Sequence, residues 1–235
     1  MRERPIVAID GPAGAGKSTV ARRLADALGY LMVDTGALYR AVALAASRRG
    51  VSLADADAVG EVADGIVARA GLRLERAEDG SVRVWLDGED VSQAIRTPDV
   101  SMGASTVSAH GPVRAALLEL QRAAGRAGGV VLEGRDIGTV VFPDAEVKFF
   151  LTARPEIRAR RRCDELRAKG QNVSLEDTLA EVQRRDAQDS GRAVAPLRKA
   201  EDALEVDSSE ASVDEVVATM AARVAEVAER LRAPL

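Results

Sequence analysis

Residues 5–18 read Pro5-Ile6-Val7-Ala8-Ile9-Asp10-Gly11-Pro12-Ala13-Gly14-Ala15-Gly16-Lys17-Ser18. The apolar, β-branched beginning predicts a buried parallel strand. The segment from Gly11 onward matches the template G-x-x-x-x-G-K-[ST] in full, and apolar residues at helical spacing follow it as far as Leu28. A strand, a glycine-rich turn and a helix in this order predict a phosphate-binding loop, in which backbone N–H groups and the positive end of the helix face an anion.

The loop predicts a nucleoside triphosphate site in which the residues have separate roles. Lys17 is expected to reach the β- and γ-phosphates, and the Ser18 hydroxyl to bind a Mg²⁺ ion that the phosphates share. The alternative is a glycine-rich turn with a chance lysine, which the flanking strand and helix disfavour. The residues expected to contact ATP are Gly11, Pro12, Ala13, Gly14, Ala15, Gly16, Lys17, Ser18 and Thr19.

Strand-like and helix-like segments alternate through most of the chain, which predicts an α/β fold with a parallel sheet of about five strands. Besides the first strand, strands are predicted near residues 31–33, 130–132, 147–151 and 203–206. Helices are predicted near residues 17–28, 36–49, 54–70, 97–108, 111–127, 155–168, 174–190 and 212–231.

Residues 71–91 change to a period of two. Leu72 and Leu74, and then Val82, Val84 and Leu86, alternate with polar residues on either side of a Glu78-Asp79-Gly80 turn. Asp87-Gly88 supplies a second tight turn. The pattern predicts a short antiparallel meander inserted in the α/β chain.

Composition excludes several classes of protein. The chain has 235 residues, of which 46% are hydrophobic and 30% are charged, so a folded globular domain is expected. It has one cysteine and one histidine, which excludes an internal disulfide and disfavours a zinc site held by the protein. No apolar run is long enough for a membrane helix. The net charge of −4 does not indicate a basic surface for nucleic acid. A cytoplasmic protein with no membrane and no nucleic-acid partner is the expectation, with a monomer as the default.

Four segments together resemble the bacterial cytidylate kinases, from about residue 5 to 230. They are Ile9-Asp10-Gly-Pro-Ala-Gly-Ala-Gly-Lys-Ser18, Asp34-Thr-Gly-Ala-Leu-Tyr-Arg40, Glu133-Gly-Arg-Asp-Ile-Gly-Thr-Val-Val-Phe-Pro143 and Ser190-Gly-Arg-Ala-Val-Ala-Pro-Leu197. The resemblance implies phosphoryl transfer from ATP, with Mg²⁺, to CMP or dCMP, giving CDP or dCDP. It also implies a three-layer P-loop sandwich with an antiparallel β insert on the substrate side and an arginine-rich helical lid.

The resemblance divides a single kinase domain spanning residues 1–235 into three regions. The core comprises about residues 1–35, 110–153 and 191–235. The region for the nucleoside monophosphate (NMP), with its meander, comprises about residues 36–109. The lid comprises about residues 154–190.

The CMP site implied by the resemblance combines arginines for the phosphate with polar groups for the nucleoside. Arginine binds phosphate through two parallel hydrogen bonds, which fixes direction as well as charge. Asp136 is predicted to select the base, because a carboxylate accepts from the N4 amine of cytosine where uracil carries an acceptor. Thr35, Ser105 and Asp189 are placed near the base or sugar by the resemblance. The phosphate and nucleoside set is completed by Arg40, Arg114, Arg135, Arg185 and Arg192.

Structural alternatives exist for most of these residues taken singly. For Arg40 and Arg114 the alternative is an exposed charge on a helix. For Arg135 and Asp136 the alternative is an ion pair with each other. Ser105 suits small-residue packing, and Asp189 suits a helix end before Gly191.

A basic run between Arg154 and Lys169 is the predicted lid. A solvated helix face is the alternative. Arg158 and Arg162 lie one helical turn apart, with Arg161 beside them. Arginines that close over two nucleotides would neutralise charge on the transferring phosphoryl group and exclude water. Arg158 and Arg162 are therefore predicted to be catalytic together with Lys17, and no general base is expected.

Two other classes of function compete with this one. Another P-loop kinase, acting on uridylate or shikimate, would share the loop but not the acceptor. A non-catalytic module that binds RNA through residues 154–169 would need a platform of aromatic residues, and the chain is 3% aromatic.

Overall fold

A computed structural model describes residues 3–77, 82–168 and 170–232 of the chain. The strands in the described residues are β1 (Ile6–Asp10), β2 (Leu31–Asp34), β3 (Leu72–Arg76), β4 (Val82–Leu86), β5 (Glu89–Asp90), β6 (Val130–Gly134), β7 (Val147–Thr152) and β8 (Leu204–Asp207). The α-helices are α1 (Lys17–Leu28), α2 (Thr35–Arg48), α3 (Ala56–Ala68), α4 (Pro98–Val107), α5 (Gly111–Gly125), α6 (Pro155–Ala168), α7 (Leu175–Ser190) and α8 (Val213–Arg232).

The larger sheet has five strands in the order β2-β6-β1-β7-β8. The pairings of β1 with β6, β1 with β7 and β7 with β8 are parallel. All five residues of β1 are buried, which is why this strand carries an unbroken apolar run rather than an alternating one. The predicted α/β class with a five-stranded parallel sheet and flanking helices is confirmed.

The register places Asp10, the last residue of β1, beside Gly134 of β6 and Phe150 of β7. The loop after β1 and the segment after β6 therefore leave the same edge of the sheet. Ligands of open α/β sheets bind at this carboxyl edge of the strands.

The smaller sheet is antiparallel and has the order β3-β4-β5. Asp87 and Gly88, which join β4 to β5, both have positive φ, as a type I′ hairpin turn requires. The predicted meander is thereby confirmed, while its predicted Glu78-Asp79-Gly80 turn lies outside the described residues.

The chain separates into two compact units, one within residues 1–30 and 128–235 and the other within residues 31–127. In the first unit β1, β6 and β7 supply buried apolar side chains such as Ile6, Leu132 and Phe149. The second unit has its own core, in which α2, α3 and α5 pack with β3 and β4 around Leu38, Ile66 and Leu117.

One element departs from the predicted pattern. Ile137–Val141, directly after Arg135 and Asp136, forms a π-helical turn. Such turns interrupt regular structure and are frequent at functional sites. No helix within the described ranges is long and apolar enough to span a bilayer.

Candidate active site

The loop between β1 and α1 has the backbone that its glycines predict. Gly11, Gly14 and Gly16 have φ values of +153°, +77° and +87°. A Cβ at Gly11 would lie 2.0 Å from the carbonyl oxygen of Leu151, so no side chain fits there. Gly16 is the N-cap of α1 and makes no side-chain hydrogen bond to the first turn. The start of the helix therefore presents its backbone N–H groups without a capping side chain. This arrangement suits an anion at the start of α1.

Lys17 is buried in the first turn of α1, where its Nζ donates to the carbonyl of Pro12 at 2.8 Å. Burial, and then the positive charge of Arg135, lower the pKa of Lys17 to about 7. Glu133 and Asp10 oppose this shift, whereas Arg185 adds to it. A buried ammonium near two arginines suits a polyanion, because a bound phosphate would stabilise these positive charges.

Ser18 and Thr19 follow on exposed positions at the start of α1. The described residues contain no group of three or more His, Cys, Asp or Glu side chains that could hold a metal ion. A hydroxyl at the phosphate loop nevertheless fits a Mg²⁺ ion, because such an ion takes most of its oxygen ligands from phosphates and water.

An ion-pair cluster around a buried carboxylate includes Arg135, the residue that follows β6. The Asp189 carboxylate, 1% exposed, accepts from Nε of Arg135 at 2.8 Å and from Nη2 of Arg192. Burial works against ionisation of Asp189, but Arg135 and Arg192 outweigh it and hold its pKa below the ordinary value. The two arginines come from different parts of the chain, so Asp189 fixes both relative to α7.

Arg185 lies one turn before Asp189 on α7. Burial, followed by the nearby charge of Arg135, lowers the pKa of Arg185 to about 10. Its Nε is buried, and no acceptor among the described residues bonds to it. An orphaned buried donor on a cation indicates a place where an anionic ligand would bind.

Asp136 is buried next to Arg135 at the head of the π-helical turn. The two backbone N–H groups that follow it, those of Ile137 and Gly138, donate to the Asp10 carboxylate at 2.8 and 2.7 Å. Burial raises the pKa of Asp10 to about 6, and the two amide hydrogen bonds oppose that rise.

Arg158 is a buried residue of α6. Its Nε donates to the carbonyl of Ala153 at 2.8 Å, and Nη1 donates to the carbonyl of Ala13 in the phosphate loop at 3.0 Å. Both Nη atoms also bond to the Asp186 carboxylate of α7, at 2.9 and 2.6 Å. This arginine thus joins the loop to both helices of the predicted lid.

Arg162 is partly exposed and forms an ion pair with Glu165 at 3.0 Å. Arg161 donates to the Ser208 carbonyl at 2.6 Å, and the Ser208 hydroxyl donates to the carbonyl of Ala15 at 3.3 Å. Lys169, the last residue of the predicted basic run, lies outside the described residues.

Four predicted site residues belong to the second unit. Thr35 is buried at the first position of α2, and Arg40 donates to the Asp34 carboxylate at 2.5 Å. Arg114 is buried; it donates to the carbonyl of Ser108 at 3.2 Å and lies over the ring of Tyr39, 5.7 Å from its centroid. The Oγ of Ser105 and the Nε of Arg40 are buried, with no hydrogen-bond partner in the described part of the chain.

Comparison with known proteins assigns the chain to a family. The family model for cytidylate kinase matches residues 7–226. The chain belongs to the cytidylate kinase family. It is 56% identical to the cytidylate kinase of Geobacter sulfurreducens over 94% of this chain and 93% of that protein. It is 54% identical to the cytidylate kinase of Syntrophotalea carbinolica, over 96% and 94%.

The chain is therefore a nucleotide kinase, and the resemblance inferred from its sequence segments is confirmed. One structural alternative for its arginines is wrong. Arg114 is not an exposed helix charge, because its side chain is buried. Arg135 forms an ion pair with Asp189 at 2.8 Å, and its pairing with Asp136 stays an open alternative. The individual binding and catalytic roles stay predictions.

Three residues of this region were not predicted from the sequence. Asp186 and Ser208 bond to Arg158 and Arg161 from positions 28 and 47 residues away in the chain, and no local pattern indicates such partners. Asp10 did carry a signal, since a carboxylate at the end of a fully buried strand needs a partner.

Proposed function

We propose that this kinase transfers the γ-phosphoryl group of ATP directly to the phosphate of CMP or dCMP, with Mg²⁺. A phosphate oxygen of the acceptor attacks the γ-phosphorus in line, the bond to the β-phosphate oxygen breaks, and ADP leaves together with CDP or dCDP. Such a transfer requires positioning and charge neutralisation rather than a general base.

The observation that carries the proposal is that the phosphate loop, which follows Asp10, and Arg135, which follows Gly134, leave the same edge of the sheet. Arg135 and Arg185 also lower the pKa of Lys17. Lys17 belongs to the loop that would bind the donor phosphates, whereas both arginines belong to segments proposed for the acceptor phosphate. Cations assigned to two different phosphates therefore lie in the same region. That arrangement is what transfer between two phosphates needs, because the reacting groups carry like charge.

Base selection is assigned to Asp136. Its carboxylate would accept from the N4 amine of cytosine, and good base contacts of this kind contribute about 1–3 kcal/mol of discrimination. Asp189 would act beside it on the nucleoside, with Arg135, Arg185 and Arg192 on the phosphate. Contacts from Thr35, Arg40, Ser105 and Arg114 complete the proposed CMP set.

Residues 36–109 are proposed as the NMP-binding region and residues 154–190 as the lid. Ser18 would hold Mg²⁺ together with the ATP phosphates, and the ion supplies neutralisation of phosphate charge when bound. Arg158 and Arg162 would contact the transferring phosphoryl group and neutralise its charge. Closure of the lid would exclude water as a competing acceptor.

An acceptor panel tests the function. ADP release is measured with ATP, Mg²⁺ and, in separate reactions, CMP, dCMP, UMP, AMP and no acceptor. We expect the highest kcat/KM with CMP or dCMP and little release without an acceptor. A clear preference for UMP would overturn the assignment in favour of a uridylate kinase.

One variant tests the base-selection role separately. In Asp136→Asn the amide oxygen still accepts, while its NH2 group donates to the O4 of uracil. The ratio of kcat/KM for CMP to that for UMP should therefore fall by about tenfold or more. An unchanged ratio would show that Asp136 does not contact the base.

A further inference from the structure

Asp10 makes a contact that the proposed roles do not use. It is the last residue of β1, and its side chain is buried. Its Oδ1 accepts from the N–H of Ile137 at 2.8 Å and its Oδ2 from the N–H of Gly138 at 2.7 Å. Two consecutive amides bonded to two oxygens of one carboxylate fix both the position and the direction of the chain at that point.

The same residue also holds the chain on the other side of Arg135 and Asp136. In the sheet, Asp10 is paired with Gly134, the residue that precedes them. Arg135 and Asp136 therefore lie between two attachments to Asp10, one through the backbone and one through the side chain. Asp136 itself has the irregular backbone angles φ −146° and ψ 24°, which no regular helix or strand would maintain.

A side chain at position 138 would crowd this contact. A Cβ there would lie 3.1 Å from Cδ of Lys148 and 3.4 Å from Oδ2 of Asp10. Lys148 has little room to move, because its Nζ bonds to the carbonyl of Pro143 at 2.6 Å and to the Asp202 carboxylate. An alanine at position 138 would therefore have to displace either Lys148 or the amide that bonds to Asp10.

We propose that Asp10 is a positioning residue for base selection: its carboxylate sets the placement of Asp136 and Arg135 relative to the phosphate loop that begins at the next residue. The inference rests on the proposed function, since it assigns Asp10 to the recognition of CMP by those two residues. Asp10 acts through them and does not touch the substrate.

The principal test is Asp10→Asn, which keeps the size of the side chain but directs an NH2 group at one of the two amides. We expect kcat/KM for CMP to fall by about tenfold to a hundredfold, the range typical of small misplacements of a site. The ratio of kcat/KM for CMP to that for UMP should fall as well, by about tenfold, while KM for ATP stays within about twofold of wild type. A residue that merely stabilises the fold would leave that ratio unchanged.

Glu146→Gln is the matched control. Glu146 accepts from the N–H of Ile6 at 2.8 Å, at the opposite end of β1, so the variant makes the same carboxylate-to-amide change on the same strand. We expect its base ratio to equal that of wild type. If Asp10→Asn does not fold, Gly138→Ala tests the same contact by displacing the amide from Asp10, and a lowered ratio is again expected.

The outcomes separate the two proposals. Failure of the wild-type kinase to phosphorylate CMP would overturn the proposed function. A wild-type kinase active on CMP, with a base ratio unchanged in Asp10→Asn or, if that variant does not fold, in Gly138→Ala, would overturn the role of Asp10 alone.

Discussion

Lys17 is buried at the start of α1, so its charge costs free energy until an anion binds. Arg135 and Arg185 add to that cost by repelling the charge, whereas Glu133 and Asp10 reduce it. The residue is thus poorly placed for stability and well placed for a phosphate. A residue that lowers stability but suits a ligand is typical of functional sites.

Lys17→Met should lower kcat by at least about a hundredfold, because one electrostatic contact to a reacting phosphate is worth that much or more. The free energy of unfolding should change by less than about 1 kcal/mol, since relief of the buried charge offsets the lost hydrogen bond to Pro12. Turnover and urea denaturation measure the two effects. Lys199→Met, which removes an exposed lysine paired with Glu205, is the control and should leave turnover unchanged. Near-normal turnover in Lys17→Met would contradict the assigned role.

Asp189 has the opposite character, because it stabilises the fold in its ionised form. Asp189→Asn should lower the free energy of unfolding at pH 7 by about 3 kcal/mol, since it leaves two arginines beside a neutral side chain. The pKa of Asp189 lies below its ordinary value of 3.8, so its contribution is complete above about pH 4 and is lost as the pH falls through the lowered value. The gap between wild type and variant in urea denaturation should therefore narrow in acid. A gap independent of pH would contradict the ion-pair explanation.

At the scale of elements, the phosphate loop depends on how closely it approaches β7. Gly11→Ala should prevent this approach, because its Cβ would lie 2.0 Å from the Leu151 carbonyl oxygen. We expect a loss of about 3 kcal/mol or more in unfolding free energy, together with loss of ATP binding. Thermal denaturation and nucleotide titration measure both.

Gly50→Ala is the control for backbone conformation. Gly50 also has positive φ, +69°, but a Cβ there would meet nothing within 4 Å. It should cost about 1 kcal/mol, the penalty of the left-handed conformation alone. Equal losses in the two variants would show that the contact with β7 is unimportant.

Helix α6 carries two arginines, Arg158 and Arg162, that differ in burial and in partners. Arg158→Ala should lower both kcat and stability, because it removes a buried ion pair with Asp186 and the bond to the phosphate loop. Arg162→Ala should lower kcat while changing unfolding free energy by less than about 1 kcal/mol, since its pair with Glu165 is partly exposed.

Steady-state kinetics and denaturation of both variants test this division. In Arg162→Ala we expect the decrease in kcat to exceed any weakening of CMP binding. Weakened CMP binding with unchanged kcat would overturn the lid role. Arg160→Ala, at an exposed position of the same helix, serves as the control.

At the scale of the whole molecule, we expect a monomer. The strand β8 lies at the edge of the larger sheet, where unpaired backbone groups invite association. It carries Glu205 and Asp207, and such charges disfavour pairing between two copies of an edge. Light scattering should give a mass near 24.8 kDa at both low and moderate salt. A mass near twice that value would contradict the expectation.

Local features of this protein were predictable because their physics is local. The strand, glycine-rich turn and helix of residues 6–28 follow from a short motif and from helical spacing. The hairpin turn at Asp87-Gly88 follows from residues that tolerate positive φ. The family resemblance rested on four such segments, each of which is readable without knowing what packs against it.

Residue partnerships were not predictable, because they join parts of the chain that only folding brings together. Asp189 was a candidate for sugar contact or for a helix end, and its pairing with Arg135, 54 residues away, depends on where α7 packs. Arg158 was assigned to a lid from its spacing with Arg162, whereas its bonds to Ala13 and Asp186 depend on the packing of α6.

The amino-acid sequence by itself determined the alternation of strands and helices, the phosphate loop and the family, because propensity, periodicity and backbone freedom act over a few neighbouring residues. Tertiary structure alone decided which charges are buried together. Burial and distance, which set the pKa of Lys17 and the pairing of Asp189, arise only when segments far apart in the chain share one low-dielectric interior.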